Sequence, residues 1–183
     1  GLSIVPFIWG SNAKGTAING KSDFDIVVQF KVGTYSLEEM YNQVYNVFAS
    51  VYKDRSLVDF RKQSKSVGLF FNIHGEDIRI DVVPIRETDK NTNNTSGNMF
   101  VRPNGIFSSS TYTKTDIGLQ STVNISPTQK KIIIALKNWR DEYNLPMSSY
   151  MIQLLVSRAY YANKYRIPKK FTDKLLMVVE FIR

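Results

Sequence analysis

Two aspartates at the start of an apolar run are the residues of this chain best suited to chemistry. Asp23 and Asp25 stand two positions apart and lead into Ile26-Val27-Val28. Because strand side chains alternate between faces, both carboxylates point to the same side. Like charges on one face repel unless a cation lies between them, and hard oxygen ligands suit Mg²⁺ or Mn²⁺. The spacing therefore indicates a metal site, although Asp-x-Asp alone is also typical of a solvated turn.

A glycine and a serine precede these aspartates at the end of a second apolar segment. The segment from Ile4 to Trp9 is expected to be a short buried strand, and Gly10-Ser11 to be the turn after it. Backbone N–H groups and a hydroxyl at such a turn suit a phosphate. Lys14, in the glycine-containing loop that follows, either touches the same phosphate or is an ordinary loop lysine. One stretch thus combines a phosphate site with a metal site.

A third carboxylate lies in a later strand. From Ile78 to Val83 the apolar positions alternate, and Asp81 falls on the face shared by Arg79 and Val83. Three carboxylates can hold two divalent ions about 4 Å apart, which serves phosphoryl or nucleotidyl transfer. The alternative is a set of ion pairs with lysine and arginine. The single histidine, His74, is expected at a hairpin end and is given no catalytic role.

The surrounding sequence predicts an α/β region. We expect strands over Asp25–Phe30, Leu57–Phe60 and Val67–His74, and a strand that Pro84 ends. Ser36 and Glu39 match a helix capping box. The apolar residues that follow at helical spacing are Met40, Val44, Val47, Phe48 and Val51. From Glu87 to about Asn124 the chain is rich in Asn, Thr, Ser and Gly and is predicted to be a long loop, with a short strand near Met99-Phe100-Val101.

The last third is predicted to be helical. Ser126, Pro127 and Gln129 form a strong helix start, followed by an apolar stripe of Ile132, Leu136, Trp139 and Tyr143. Ser148 or Ser149 is expected to cap a second helix and Thr172 a third. On spacing alone, Lys137 is a solvated lysine, Ser149 a cap and Tyr150 a core aromatic. We therefore predict two domains, a core over residues 1–125 and a partial helical lobe over residues 126–183.

Composition limits the class of protein. The 183 residues include 43% hydrophobic and 22% charged residues and no cysteine, so disulfides and thiolate metal sites are excluded. No run is long and apolar enough to predict a membrane span, and no secretory signal pattern is present. The net charge of +8 favours polyanionic partners such as nucleotides or nucleic acid, or else reflects a solvated basic surface. We expect a cytoplasmic protein without a membrane partner.

These motifs together resemble a known enzyme group. Gly10-Ser11, Lys14-Gly15-Thr16, Ser22-Asp23-Phe24-Asp25 and Ile80-Asp81-Val82-Val83-Pro84 look like the active-site motifs of polymerase-beta-like nucleotidyltransferases. The similarity is closest to the branch of oligoadenylate synthetase and cyclic GMP-AMP synthase (the CD-NTase branch). The segments Leu136-Lys137-Asn138-Trp139 and Leu145-Pro146-Met147-Ser148-Ser149-Tyr150 resemble the helical-lobe motif of that branch.

The resemblance implies a function and a role for each residue. The fold would be a mixed sheet with flanking helices joined to a helical lobe, with a nucleotide in the cleft between them. Nucleoside triphosphates would be joined, with release of pyrophosphate, into an oligonucleotide or cyclic dinucleotide messenger of antiviral defence. Mg²⁺ or Mn²⁺ would be held by Asp23, Asp25 and Asp81. The β- and γ-phosphates would contact Gly10 and Ser11; Lys137 and Ser149 would reach the triphosphate, and Tyr150 would stack on a base.

Two other functions remain open on the sequence. Enzymes that add CCA to RNA 3′ ends share a Gly-Ser turn, Asp-x-Asp and an Asp-Val-Val-Pro-like strand, so RNA is a candidate acceptor as well as a candidate activator. A non-catalytic nucleic-acid-binding module on the same fold is the second alternative. The long helix that precedes the Gly-Ser strand in the family is not found here, helices at the C-terminus are also missing, and no zinc-binding insert is present. We therefore expect an incomplete chain.

Overall fold

The chain forms two compact units. A computed structural model describes residues 2, 5–18, 23–51, 57–88, 96–103, 109–116 and 124–183. The first unit comprises Gly1–Ala13 and Ser22–Val123, and the second comprises Lys14–Lys21 and Asn124–Arg183. The division falls two residues before the boundary predicted at 125/126, and it also assigns the segment after α1 to the helical unit.

The first unit is built on one mixed sheet. Its described strands are β1 (Phe7–Trp9), β2 (Phe24–Phe30), β3 (Leu57–Lys62), β4 (Val67–Ile73), β5 (Glu76–Glu87), β6 (Ser96–Val101) and β7 (Thr111–Asp116). The strand order is β1-β2-β5-β4-β3, and β6 pairs with β5 and with β7. Among these pairings β2–β5 is parallel and the others are antiparallel. Helix α1 (Gly10–Lys14) follows β1, and α2 (Leu37–Val51) follows β2.

Helix α2 covers one face of the sheet. Its capping box is present as predicted: Glu39 N donates to Ser36 Oγ at 3.2 Å, and Ser36 N donates to Glu39 Oε2 at 2.8 Å. Met40 and Val44 are buried in the main core, but Val47 is exposed. Tyr41, which the predicted stripe omitted, is buried, and its hydroxyl lies 2.8 Å from the Ser66 carbonyl oxygen. The core-facing stripe of α2 is thus shifted toward Tyr41.

Strand β5 continues through Pro84, so the predicted end at this proline is wrong. Pairing with β4 ends at Val82, and pairing with β6 begins at Ile85. Pro84 therefore lies where β5 changes partner on that side, a position at which a strand tolerates proline better than within a continuous antiparallel pairing. Its other neighbour is Val28, in the parallel pair with β2.

Two further sequence expectations for this unit are corrected. The predicted loop from Glu87 to Asn124 contains β6 and also β7, a six-residue strand in which threonine alternates and which pairs with β6 from Ser96↔Asp116 to Val101↔Thr111. The predicted buried strand from Ile4 to Trp9 is shorter: β1 begins at Phe7, and Ile8 is exposed. Phe7 and Trp9 pack on a small cluster with Val27, Val83 and Ile85. Ile4 lies outside the described residues.

The second unit contains three described helices. These are α3 (Pro127–Glu142), α4 (Ser149–Ala162) and α5 (Phe171–Ile182). The Ser126/Gln129 capping box is present, and Ser148 caps α4 by accepting from Met151 N at 3.1 Å. The predicted cap at Thr172 is wrong, because α5 begins at Phe171 after Lys170. Ile132 and Leu136 are buried with Ile152 and Val156, whereas Trp139 and Tyr143 are exposed.

In the part of the chain that the structure describes, no helix has the length and apolar character needed to cross a bilayer.

Two of the residues predicted as helix caps give a stability test. Ser126→Ala removes the hydroxyl that accepts from Gln129 N at 3.3 Å, so we expect a loss of about 1 kcal/mol in unfolding free energy. Thr172→Ala is the matched control; because Thr172 is exposed and caps nothing, its loss should stay below about 0.5 kcal/mol. Urea denaturation followed by circular dichroism measures both. Equal losses would contradict the cap assignment.

Candidate active site

The parallel pairing of β2 with β5 brings two of the predicted aspartates together. Asp25 and Asp81 are direct partners in this pair, so their Cα atoms lie on adjacent strands about 4.8 Å apart. Both side chains belong to the face that continues as Val27 and Val83, which is opposite to α2. Trp9 of β1 is the partner of Asp25 on the other side. The carboxylates thus stand at one end of a small apolar cluster.

Asp81 is held by two polar residues of the β3–β4 connection. The Ser66 hydroxyl lies 3.3 Å from Asp81 Oδ2 and 2.7 Å from Gln63 Oε1. Burial, followed by the charge of Asp23, raises the pKa of Asp81 above the ordinary carboxyl range. Hydrogen bonds from Ser66 and Gln63 and the charge of Arg61 act in the opposite direction. Asp81 is therefore a partly buried carboxylate in an acidic neighbourhood.

The predicted Gly-Ser turn is the beginning of α1. Gly10 has φ +68°, and a Cβ atom built at this position would overlap Asp25 Oδ2. Glycine is therefore required both by the backbone and by the carboxylate that lies against it. Asn12 Nδ2 donates to Asp23 O at 2.8 Å, which ties α1 to the start of β2. Gly10, Ser11, Asp23 and Asp25 are thus arranged as one local structure, and Ser22 lies outside the described residues.

The predicted lysines are both engaged within the second unit. Lys137 is only 3% exposed, and its Nζ donates to Thr16 O at 2.8 Å, so its interpretation as a solvated lysine is wrong. Lys14 Nζ donates to Gln153 Oε1 at 3.0 Å, and both Thr16 and Gln153 are buried. Triphosphate contacts by Lys14 and Lys137 stay predictions.

Ser149 and Tyr150 open helix α4. Ser149 is not the cap; its Oγ accepts a hydrogen bond of 3.1 Å from Arg140, whose guanidinium also pairs with Asp141. Tyr150 is 52% exposed, so its interpretation as a core aromatic is wrong. The predicted phosphate and base contacts of these two residues remain open, and the structure adds Arg140 as a cation beside Ser149.

The oxygen atoms of these carboxylates are suitable ligands for a hard cation, although they do not form a complete coordination shell. In the described ranges, no three His, Cys, Asp or Glu side chains group tightly enough to hold a metal ion. Asp25 and Asp81 nevertheless lie side by side, and Asp23 is close enough to raise the pKa of Asp81. Oxygen donors of this kind are those that Mg²⁺ and Mn²⁺ prefer. The residues therefore fit such an ion without showing its coordination.

The sequence and the fold were compared with those of known proteins. No protein-family model matches the chain. The CBASS oligonucleotide cyclase CdnC of Escherichia coli strain KTE188 is 24% identical over 180 residues, which cover 93% of this chain and 56% of CdnC. Bradyrhizobium diazoefficiens CD-NTase CdnG, solved with GTP, superposes with a TM-score of 0.71 at 12% identity, covering 98% of this chain and 63% of CdnG. Escherichia coli MS115-1 CdnC, solved with ATP, gives a TM-score of 0.66 at 17% identity over 96% of this chain and 55% of CdnC.

The fold is that of the CD-NTases. The predicted resemblance to this branch of the nucleotidyltransferases is confirmed, as is the predicted mixed sheet with flanking helices and a C-terminal helical region. The chain spans little more than half the length of the curated relatives it matches.

Gly10 of this CD-NTase fold gives a test of the local arrangement. Gly10→Ala should destabilise the protein by more than the roughly 1–2 kcal/mol of a left-handed backbone alone, because the new Cβ meets Asp25. Gly33→Ala is the matched control, since Gly33 has φ +80° but no atom within 4 Å of the added Cβ. Denaturant titration of both variants isolates the carboxylate clash. Equal losses would contradict the requirement for glycine that the Asp25 carboxylate is inferred to impose.

The pH dependence of folding stability tests the raised pKa of Asp81. Its folded-state pKa is raised, so the unfolded chain ionises first as pH rises from about 4, and the folded state loses stability until Asp81 itself ionises. Asp81→Asn has no such loss. In EDTA, the difference in Tm between this variant and the parent should therefore shift in favour of the variant as pH rises above about 4, and should level off once Asp81 has ionised. Glu76→Gln, which removes an exposed carboxylate from the same strand, is the matched control. A constant difference for Asp81→Asn would contradict the assignment.

Proposed function

We propose that this chain carries the catalytic core of a nucleotidyltransferase that joins nucleoside triphosphates into a cyclic or linear oligonucleotide messenger. The observation that supports it is the side-by-side placement of Asp25 and Asp81 next to the start of α1. The relatives of the same fold include oligonucleotide cyclases and cyclic dinucleotide synthases. In the proposed reaction an acceptor hydroxyl attacks the α-phosphate, the bond to the β-phosphate oxygen breaks, and pyrophosphate leaves.

Asp81 is the residue proposed to receive the proton of the acceptor hydroxyl. Burial raises its pKa, and a carboxylate with a higher pKa is a stronger proton acceptor. Ser66 and Gln63 would keep this carboxylate in place as the proton arrives. Their arrangement supports a role for Asp81 that differs from that of Asp25, which lies against α1.

Asp23, Asp25 and Asp81 are proposed to hold Mg²⁺ or Mn²⁺. When bound, such an ion supplies positive charge to the triphosphate and to the attacking oxygen. Without it, the three carboxylates would repel an anionic substrate, so the donor set itself supports a cation.

The triphosphate is proposed to bind at the start of α1. The N–H groups and hydroxyl of Gly10 and Ser11 would contact the β- and γ-phosphates, with Lys14 as an additional cation. From the second unit, Lys137 and Ser149 would reach the triphosphate, and Arg140 supports this role of Ser149 by placing a guanidinium against its hydroxyl. The exposed ring of Tyr150 would stack on a base.

Nucleoside triphosphates are the proposed substrates. CdnC was solved with ATP and CdnG with GTP, and we propose that this chain takes ATP, GTP or both. The cytoplasm supplies these substrates and is the proposed compartment. We propose that the product acts there in antiviral defence, because the relative CdnC is a CBASS oligonucleotide cyclase.

The decisive experiment incubates the full-length protein with labelled ATP, GTP, CTP and UTP and Mg²⁺ or Mn²⁺, with and without RNA. Small phosphatase-resistant products formed without RNA would support the proposal, and linkage-specific nucleases would identify the bond. If a small product forms only when RNA is added and the RNA itself is not labelled, RNA is an activator of the enzyme. Label found only on added RNA would instead indicate an enzyme that extends RNA ends. Binding that persists in EDTA without pyrophosphate release would indicate a non-catalytic module.

Asp25→Asn tests the carboxylate pair directly. The substitution keeps the shape of the side chain and removes its charge, so we expect pyrophosphate release to fall by at least about a thousandfold while the fold is retained. Glu38→Gln, which removes an exposed carboxylate from α2, should retain full activity. Retained turnover in Asp25→Asn would remove Asp25 from the catalytic group.

A further inference from the structure

Two arginines share one phenylalanine ring on the same sheet face as Asp81. Arg61 of β3 has its guanidinium carbon 4.4 Å from the centroid of the Phe70 ring, and that of Arg79 lies 6.0 Å from it. Phe70 on β4 is the direct partner of Arg79 on β5. Because Arg79 and Asp81 are two positions apart on one strand, they share a face. We call Arg61, Phe70 and Arg79 the arginine–phenylalanine patch.

The patch carries positive charge that no described residue holds in a direct ion pair. Both arginines are exposed, and within the described residues neither guanidinium forms a hydrogen bond or an ion pair. No described carboxylate forms an ion pair with them: Asp77 accepts from Asn72 at 2.8 Å, and Asp59, the partner of Phe70 on β3, pairs with neither arginine. The charge of Arg61 does act on Asp81, whose pKa it lowers, but without a direct contact. Two guanidiniums on one ring repel each other, so an anion between them would be stabilising. Guanidinium groups match phosphate in charge and geometry.

The patch is at a short distance from the carboxylates. Arg79 is two residues along β5 from Asp81, about 6.6 Å at the rise of a strand. Arg61 lies in the row Asp81↔Gly68↔Arg61, two strand spacings or about 9.6 Å from Asp81. Gly68 lies between them, and the side-chain amide of Gln63 covers it, because a Cβ atom added at Gly68 would overlap Gln63 Nε2. Both arginines therefore lie within two residues or two strands of the carboxylate that is proposed to activate the acceptor.

We propose that the arginine–phenylalanine patch binds the phosphodiester backbone of an oligonucleotide acceptor, upstream of the hydroxyl that reacts at Asp81. The ring of Phe70 orients the two guanidiniums. Their N–H groups contact phosphate, and the guanidinium faces that point away from the ring offer a stacking surface for a base. The inference rests on the proposed function for the role of Asp81, but the binding of an oligonucleotide by the patch does not require catalysis.

A consequence of the proposal is that the patch distinguishes acceptors by length. A nucleoside triphosphate that acts as acceptor carries only its 5′-triphosphate on the upstream side, whereas an oligonucleotide carries phosphodiesters and further bases that can contact both arginines and the ring between them. Every addition after the first, and any transfer to RNA, would use the patch in this way. The patch would therefore favour the extension of bound chains over the start of new ones.

The test measures binding and extension separately in the full-length protein. Arg61→Gln combined with Arg79→Gln is compared with Lys31→Gln combined with Lys131→Gln, which also removes two exposed positive charges. The probes are a labelled single-stranded oligoadenylate, its uncharged methylphosphonate analogue, and a non-hydrolysable ATP analogue. We expect the arginine variant to bind oligoadenylate at least about tenfold more weakly and to lose about 2 units of salt slope, with unchanged affinity for the ATP analogue.

The alternative outcomes overturn the inference in distinct ways. Unchanged oligoadenylate binding, or equal weakening in the lysine variant, would show that the patch is not a specific site. Equal weakening for the ATP analogue would assign the patch to the donor triphosphate instead. A parent protein that makes no product but binds oligoadenylate through the patch would refute the proposed function and leave the binding inference standing. Where product is made, the arginine variant should still form dinucleotides and should lose longer products.

Discussion

The constraint on which the site in the first unit depends is the crowding of carboxylates: two of them are direct partners on neighbouring strands, and a third, Asp23, is close enough to raise the pKa of Asp81. In the parallel register of β2 and β5, Asp25 and Asp81 are direct partners, so the pairing of the strands keeps the two residues adjacent. The surroundings reduce the resulting repulsion in different ways for these two side chains. Asp25 occupies the space that Gly10 leaves by having no side chain, while Asp81 receives the Ser66 and Gln63 contacts. Much of the local sequence is therefore explained by the need to place negative charge at one end of the sheet.

The second unit has a polar interior of a different kind. Lys137, Thr16 and Gln153 are buried, and an ammonium is costly to bury unless it is hydrogen-bonded. The contact of Lys137 with the Thr16 carbonyl provides such a bond, and Lys14 reaches Gln153 in the same unit. These lysines hold the segment after α1 against the helices by specific polar contacts. Arg140 does the same for the connection between α3 and α4 through the Met147 carbonyl and Ser149.

Features that depend on residues a few positions apart were predictable from the sequence, and features that depend on distant pairing were not. Both capping boxes were predicted because each joins residues three apart, and the alternation around Asp81 gave its face correctly. Pro84 was misjudged because its tolerance depends on where β4 and β6 begin and end. Trp139 and Tyr143 match a helical stripe, but tertiary packing buries Ile133 in their place. No local signal marks Ser66, Gln63 or Arg140, whose partners are set by the fold.

The parallel pairing of β2 and β5 also has a consequence for the order of folding. The hairpin of β4 and β5 closes through the two-residue turn His74-Gly75, both with positive φ, and can form early because its contacts are local in sequence. The elements α2, β3 and β4 lie between Asp25 and Asp81 in the sequence, so bringing the two residues together requires closing a long chain loop. A nascent or partly folded chain can therefore contain native hairpins and helices and still have no paired carboxylates. The appearance of the site would report completion of the sheet rather than its beginning.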